Sequence, residues 1–422
     1  MSAAVVPAIA GVVALIGAAA ALALLIRWGR IPGGAPAAAI AGGILAGVLL
    51  GPSVAWRAAP DLSWRYLRGN PEAQQALAMA RQEARTELLA MEAAGADALA
   101  IEARAQELRE ARAPAERCAV EARRVELDAR AWLGLLALSV ALALAGWGRT
   151  QRTGFARLAW PDRSGPDSWT LALPGASMSV LAGLVAAAML RWGVGLEMGA
   201  AVAVGGAFGA GAALGPLPLR RGLAVEGAAD RLGIVCLLVS AGLMIGGAWV
   251  AGARPWAIAL PAGALVLGWI AGWLARPTSR VRFIAREALL VVGAPGAVAL
   301  AAGQIELAEL TGSWRSIGSV VALALLAGGG QLLGAWLGMI GVRAHGRPMG
   351  VALEALCAGF GLMQACAGLA LIALGVIDPQ STPGAVSLAA LLLSGLMIEM
   401  TAPATLATWR GVEKIVEEFG EE

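Results

Sequence analysis

Long apolar runs separated by short polar turns dominate the chain. A helix that crosses a bilayer needs roughly 20 apolar residues, and eleven runs approach or exceed this length. The predicted spans lie near residues 4–26, 35–55, 131–147, 169–190, 194–216, 229–252, 255–275, 288–304, 316–341, 350–375 and 384–408. The pattern therefore predicts an all-α, polytopic membrane protein with about eleven transmembrane helices.

One segment, residues 57–130, interrupts this pattern with dense charge. Its part from 63 to 130 carries eleven arginines and twelve acidic residues, too many to lie in lipid. Ala, Glu, Leu and Arg dominate it, and all four favour helices. Gly95 and Pro114 are the predicted breaks. We predict an extramembrane helical hairpin, which either packs only on itself or binds a partner or a second copy as a coiled coil.

Positive charge is distributed unevenly between alternate loops. With the N-terminus outside, the predicted inner loops hold sixteen Arg and Lys residues; the outer loops hold four when the charged segment is set aside. The positive-inside rule then predicts a cytoplasmic C-terminus in the plasma membrane, here a bacterial inner membrane. The predicted organisation is transmembrane helices 1–2 in 1–56, the outer hairpin in 57–130, transmembrane helices 3–11 in 131–410, and a short cytoplasmic tail in 411–422.

Composition agrees with a membrane protein and excludes several other classes. Hydrophobic residues make up 59% of the 422 residues, and 57 glycines allow close packing of helices. A net charge of +3 is too small to indicate a nucleic-acid partner, and four scattered cysteines do not form a disulfide framework. The sequence contains no metal-ligand cluster, phosphate-binding loop or nucleophile triad, so we expect neither an enzyme nor a cofactor.

Five short runs occur along the chain in a characteristic order. They are AGVLLGPS at 46–53, ADRLG at 229–233, VALAAGQIELAEL at 298–310, LLAGGGQLLGAWLG at 325–338 and EALCAGFGLMQACAGLALIALGVIDP at 354–379. Together they resemble the monovalent cation:proton antiporter superfamily, in its sodium/proton-exchanger and potassium-efflux branch. The resemblance implies a crossed, broken-helix core that exchanges protons for sodium or potassium, and a homodimer in the bilayer. The charged hairpin has no counterpart in it.

The chain departs from that family at the expected ion site. Where the family has two adjacent acids, this chain has Ala229 followed by Asp230, and Gln331 stands where the family has lysine. The resemblance implies that the acid lost at 229 and the lost lysine would face each other, so losing both avoids leaving one buried charge alone. The chain also has two predicted spans fewer than the family usually has, and the missing spans would fall between residues 275 and 286. The resemblance implies Asp230 as the carrier, with Gln331 a neutral dipole nearby.

Other interpretations of the polar residues remain open. Asp230 lies beside Arg231, and it would instead cap the inner end of a helix if the span began after it. Glu354 and Glu399 are further candidates because acids within apolar runs are often functional. Glu354 would also fit the inner edge of a span, and Glu399 has no evident partner in the sequence. Gln364 fits a helix–helix hydrogen bond better than a ligand.

Two functions follow from these patterns. The first is a proton-coupled antiporter for a monovalent cation, sodium or potassium. The second is a relative of such antiporters that does not transport, and that acts as a membrane scaffold or sensor through its outer helical hairpin. The lost acid and lysine favour the second function, whereas the ordered motifs and Asp230 favour the first.

Overall fold

The structure is a computed structural model built only from helices and the turns between them. It describes residues 5–31, 34–51, 54–55, 71–95, 97–149, 180–209, 239–253, 259–274, 278–305, 307–343 and 361–420. Within these ranges every regular element is helical, and no strand occurs. The predicted all-α class is confirmed.

The described residues contain fourteen helices. The first seven are α1 Val5–Trp28, α2 Gly34–Leu50, α3 Pro71–Ala93, α4 Ala98–Arg149, α5 Val180–Val194, α6 Met198–Gly209 and α7 Val239–Val250. The rest are α8 Ala259–Leu274, α9 Ser279–Glu287, α10 Ala294–Ala302, α11 Leu307–Thr311, α12 Trp314–Arg343, α13 Gly361–Ala373 and α14 Thr382–Gly420. The last turn of α5, Leu190–Val194, is π-helical, and the π-helical segment Ala288–Gly293 joins α9 to α10.

Three stretches of the described residues are long and apolar enough to cross a membrane. They are Ile9–Trp28 in α1, Phe283–Ala302 from the end of α9 through α10, and Thr382–Thr401 in α14. Seven further apolar helices of 10–17 residues accompany them. Each of the eleven predicted spans overlaps a described helix, and the number that crosses a membrane stays a prediction.

Many small side chains are buried inside the bundle, and many large apolar side chains are exposed on its surface. In α1, Ala19 and Ala23 are buried, whereas Val13 and Leu25 are 62% and 59% exposed. Four strongly exposed tryptophans lie at or near helix ends: Trp28, Trp192, Trp249 and Trp314. A soluble protein rarely exposes so much contiguous apolar surface. Tryptophan at helix ends is typical of helices whose tips lie at a membrane–water interface.

Glycines let α2 and α10 approach until their backbones touch. A Cβ added at Gly43 would lie 2.7 Å from the carbonyl oxygen of Pro295, and one at Gly47 would lie 2.6 Å from that of Ala299. Real Cβ atoms do not approach a neighbouring atom so closely, so only glycine fits at these positions. Gly43 contacts Pro295, and Gly47, one turn later, contacts Ala299, which is one turn after Pro295. The helices α2 and α10 therefore run in the same direction.

The helix α1 runs opposite to both of them. A Cβ added at Gly42, near the middle of α2, would lie 2.5 Å from the backbone nitrogen of Ala23, near the end of α1. Arg27, in the last turn of α1, forms an ion pair with Glu287 at 2.6 Å, just before the π-helical segment. The end of α1 and the beginning of the apolar stretch at Phe283–Ala302 therefore lie at the same end of the bundle.

The charged segment contains the predicted helical hairpin, formed by α3 and the first half of α4. Gly95 has φ of 73°, a left-handed conformation that glycine adopts without strain, and it ends α3. Ion pairs join the helices, from Arg104 to Glu87 at 2.8 Å and from Arg81 to Glu116 at 3.5 Å. The pKa of the Arg104 guanidinium is raised above its ordinary value, most by its hydrogen bond to Glu107 and next by its hydrogen bond to Glu87. The hairpin and its break at Gly95 agree with prediction.

The predicted break at Pro114 is wrong, because α4 continues through it. Proline removes one backbone N–H, which leaves the carbonyl oxygen of residue 110 without its usual donor. The surrounding residues of α4 are exposed, and water replaces such a bond at low cost. Helix-favouring neighbours on both sides then outweigh the local penalty.

The boundary predicted between residues 130 and 131, from the hairpin to the membrane helices, lies inside one helix and stays a prediction. The helix α4 has 52 residues, about 78 Å at roughly 1.5 Å per residue, and runs unbroken from the hairpin into the bundle. Its apolar half packs on α8 and α10, and a Cβ added at Gly134 would meet the side chain of Leu300. One helix therefore belongs both to the hairpin and to the bundle. The helix α14 likewise extends beyond its predicted span, to Gly420.

Candidate functional site

The structure describes some of the four predicted site residues and not others. Asp230 and Glu354 lie outside the described residues, so their placement stays a prediction. Gln331 lies in α12, but its side chain is not among those described. Glu399 lies in α14 within the stretch long enough to cross a membrane, and it is completely buried. Glu399 is therefore the predicted site residue whose surroundings can be built up in detail.

Glu399 contacts α13 at Leu362. Its Oε1 atom accepts a hydrogen bond of 3.1 Å from the backbone N–H of Leu362, and the carboxylate makes further interactions within the chain. Sequence alone does not indicate this partner, because a backbone amide is not encoded by residue type.

Two glycines bring α13 and α14 close enough for this contact. A Cβ added at Gly395 would lie 2.5 Å from the carbonyl oxygen of Gly361 and 3.1 Å from the Cβ of Ala365. A Cβ added at Gly361 would meet the Gly395 carbonyl and would lie 3.0 Å from the Cγ of Glu399. The helices cross at this glycine pair, and the Glu399 side chain extends into the space that a larger residue at 361 would fill.

A second polar contact lies on the same interface. The Nε2 of Gln364 donates a hydrogen bond of 2.7 Å to the Oγ of Ser394, and both residues are completely buried. The helix–helix hydrogen bond predicted for Gln364 is confirmed. Its amide oxygen, Oε1, is buried and has no hydrogen-bond partner. An unsatisfied buried acceptor costs about 1–3 kcal/mol, which marks this oxygen as a position where a donor or a cation would bind favourably.

Opposing effects act on the charge of Glu399. Burial disfavours a carboxylate in a low-dielectric interior. The hydrogen bond from the Leu362 N–H favours it. Further interactions of the carboxylate within the chain act on the same balance.

Gln331 belongs to the helix beside this interface. Helices α12 and α14 pack along each other, and a Cβ added at Gly328 would lie 4.0 Å from the Cγ1 of Ile398. Position 331 follows Gly328 by about one turn, and Glu399 follows Ile398 directly. The helix that carries Gln331 thus packs against the helix that carries Glu399.

Comparisons with known proteins do not assign this site. No protein-family model matches the chain, and no curated protein or solved structure shows a significant match. Among the described residues no group of three or more His, Cys, Asp or Glu side chains could hold a metal ion. The α13–α14 interface and the motifs of the sequence are therefore the features that indicate function.

Proposed function

We propose that this protein is a proton-coupled monovalent cation antiporter of the bacterial inner membrane, exchanging protons for sodium or potassium. The observation that carries the proposal is Glu399, a completely buried acid in a stretch long enough to cross a membrane. Acids at such positions are rare and expensive, and they usually mark ion pathways. The ordered motifs that resemble cation:proton antiporters support the same function.

Exchange of a proton for a cation needs one negatively charged group to which either ion can bind. When a buried carboxylate is ionised, either a proton or a dehydrated cation neutralises it, and each excludes the other. If the carboxylate is open first to one side of the membrane and then to the other, this competition becomes exchange. Close glycine packing, as between α13 and α14, permits helices to shift while their backbones remain in contact.

The helix directions support the predicted number of crossings between α1 and α10, and they are the same for either orientation in the membrane. In the proposed topology α2 and α10 each follow an arginine-containing inner loop, so they should run in the same direction and opposite to α1. The glycine contacts of α2 with α1 and α10 agree with these directions. The pairing of Arg27 with Glu287 agrees with two inner ends that lie together. A homodimer, formed by the membrane domain, belongs to the same proposal.

Everted membrane vesicles test the exchange directly. After respiration acidifies the interior, added sodium or potassium chloride should collapse the proton gradient in vesicles that contain the protein, while choline chloride should not. The readout is recovery of the fluorescence of a pH-sensitive dye. Equal recovery with and without the protein, throughout the physiological pH range, would contradict the proposed function.

Thiol labelling tests the topology. Cys118 is exposed on the hairpin helix α4, whereas Cys366 is buried in α13. We expect a membrane-impermeant maleimide to label Cys118 in intact cells, with a Cys118→Ser variant as the control for background. Labelling that requires permeabilised cells would place the hairpin in the cytoplasm and would reverse the proposed orientation.

One structural feature favours the alternative function of a scaffold or sensor. Because α4 runs without a break from the hairpin into the bundle, a partner bound to the hairpin would act on the core through a rigid rod. The alternative also agrees with the loss of the family's first acid, at Ala229, and of its lysine, at Gln331. The vesicle experiment separates the two functions, because a scaffold would show no cation-dependent collapse of the gradient.

A further inference from the structure

Two of the stretches that are long enough to cross a membrane have ends that lie side by side. They are Ile9–Trp28, which ends here, and Phe283–Ala302, which begins here. The guanidinium of Arg27 donates hydrogen bonds of 2.6 and 3.3 Å to the two carboxylate oxygens of Glu287. A pair with two parallel bonds fixes orientation as well as distance. Residues after Arg27 in α1 and before Glu287 in α9 therefore continue beyond the bundle from one common point.

The residues around this ion pair form an exposed surface that is both basic and apolar. Trp28 is 86% exposed, Phe283 is 56% exposed and Ile284 is 63% exposed. The side chains of Arg30 and Arg280 are exposed as well. Residues three and four apart are neighbours on a helix, so Arg280 lies beside both Phe283 and Ile284. These five side chains are called the basic–apolar patch.

The positive charge of the patch is not balanced by nearby acids. The sequence has no Asp or Glu in 24–36 or in 275–286. Glu287, the acid that follows directly, is already paired with Arg27. Neither Arg30 nor Arg280 forms an ion pair with any residue that the structure describes. Charge complementarity therefore favours an anionic ligand on this surface.

The backbone of Arg30 is a second, independent sign that its side chain has a role. Its φ is 54°, a left-handed conformation in which a Cβ crowds the next carbonyl oxygen. Every other residue with positive φ in the described ranges is a glycine. Glycine is also the usual residue just after a helix end in this conformation. An arginine that keeps a backbone conformation better suited to glycine indicates that the guanidinium is used.

We propose that the basic–apolar patch binds anionic phospholipids of the membrane, with their phosphates on Arg30 and Arg280 and their acyl chains against Phe283 and Ile284. Guanidinium groups match phosphate oxygens with paired hydrogen bonds. This inference goes beyond the proposed function and does not depend on cation exchange. It requires only that the two apolar stretches cross a membrane.

The position of the apolar residues identifies a lipid as the source of the phosphate. Phe283 is the first residue of an apolar stretch, and Arg280 lies about one turn before it, where hydrocarbon would give way to headgroups. Trp28 ends the neighbouring stretch, and tryptophan favours this same depth. A soluble anion would bind arginine without exposed apolar side chains beside it, whereas a lipid needs both kinds of contact.

Lipid binding to the purified full-length protein in detergent tests the patch. The melting temperature is measured as phosphatidylglycerol is added, with phosphatidylcholine of the same acyl chains as the neutral comparison. A ligand that binds the folded state raises this temperature with its concentration. We expect phosphatidylglycerol to stabilise the protein more than phosphatidylcholine does. Replacing Arg30 and Arg280 by glutamine should weaken its apparent affinity about fivefold for each arginine.

Matched variants separate lipid binding from general effects of charge and folding. Arg85→Gln with Arg109→Gln removes the same charge from exposed positions on the hairpin and should keep the phosphatidylglycerol effect. Arg30→Lys with Arg280→Lys keeps the charge and should keep most of it. Arg30→Gly should act in opposite directions on two measurements, because glycine relieves the backbone but removes the guanidinium. The lipid-free melting temperature should rise, and the phosphatidylglycerol effect should weaken.

Four outcomes would overturn the inference. They are equal stabilisation by the two lipids, a phosphatidylglycerol effect that persists in the double glutamine variant, an equal loss of that effect in the hairpin control, and the same stabilisation by inorganic phosphate at matched ionic strength. The last outcome would assign a soluble anion to the patch. The proposed function is tested separately, since a protein that shows no exchange in vesicles can still bind these lipids, and the reverse also holds.

Discussion

Replacing Glu399 by glutamine is expected to abolish proton-coupled cation exchange while leaving the protein folded. Glutamine keeps the shape of the side chain, and its amide oxygen can still accept the hydrogen bond from the Leu362 N–H. It cannot carry a proton in exchange for a cation, because it does not titrate. Without the titrating group the two transported ions no longer compete for a charge, so exchange should fall to the background of vesicles that lack the protein.

The control for this variant is Glu83→Gln, which makes the same chemical change on the exposed surface of α3. It should retain full exchange. Equal amounts of monodisperse protein in the two preparations would show that the loss is functional. If Glu399→Gln kept most of its exchange and Asp230→Asn lost it, the carrier would be Asp230, as the resemblance to antiporters predicts. Glu354 would be the next acid to replace if neither variant changed exchange.

A leucine at position 47 should prevent the bundle from folding. A Cβ at Gly47 would lie 2.6 Å from the carbonyl oxygen of Ala299, 2.7 Å from the Cβ of Ala302 and 2.7 Å from the backbone nitrogen of Gly303. Two of these three atoms belong to backbone, which cannot move aside as a side chain does. Overpacking commonly costs about 1–3 kcal/mol, and a whole leucine between two backbones should exceed that. Total stabilities of only about 5–15 kcal/mol leave little margin.

The matched control is Gly17→Leu in α1. Gly17 is exposed, and no atom lies within 4 Å of a Cβ added there. Both variants add the same side chain to an apolar helix, so they differ only in what surrounds it. Size-exclusion chromatography of fluorescent fusions should show a monodisperse peak for Gly17→Leu and aggregate for Gly47→Leu. A normal peak and melting temperature for Gly47→Leu would contradict the close contact of α2 with α10.

The local chemistry of the sequence was sufficient to predict several features of the fold. Gly95 ends α3 because a left-handed residue is needed there, and glycine adopts that conformation without a steric penalty. The hairpin is helical because Ala, Glu, Leu and Arg favour helices throughout it. Pro114 shows where local reasoning is insufficient. Its penalty is one lost hydrogen bond in an exposed helix, and the helix-favouring residues around it outweigh that penalty.

The candidate site could be predicted from the sequence only in part. Intramembrane acids were noticed from the sequence, and so were Gln364 and its preference for a helix–helix bond. Nothing in the sequence connects residue 399 to residue 362, because the donor is a backbone amide. The contact of Gln364 with Ser394 likewise joins residues 30 apart, and it depends on a glycine crossing between α13 and α14.

The sequence by itself determined that the chain is helical, which runs are apolar and where the charged hairpin lies, because each depends on residue type and spacing along one helix. Only the tertiary structure decided which helices touch, that α4 passes unbroken from hairpin to bundle, and that Glu399 meets the backbone of α13 at Leu362. These features depend on how closely two backbones can approach. Glycines permit that approach at many places in the chain, and packing of the whole bundle selects the places where it occurs.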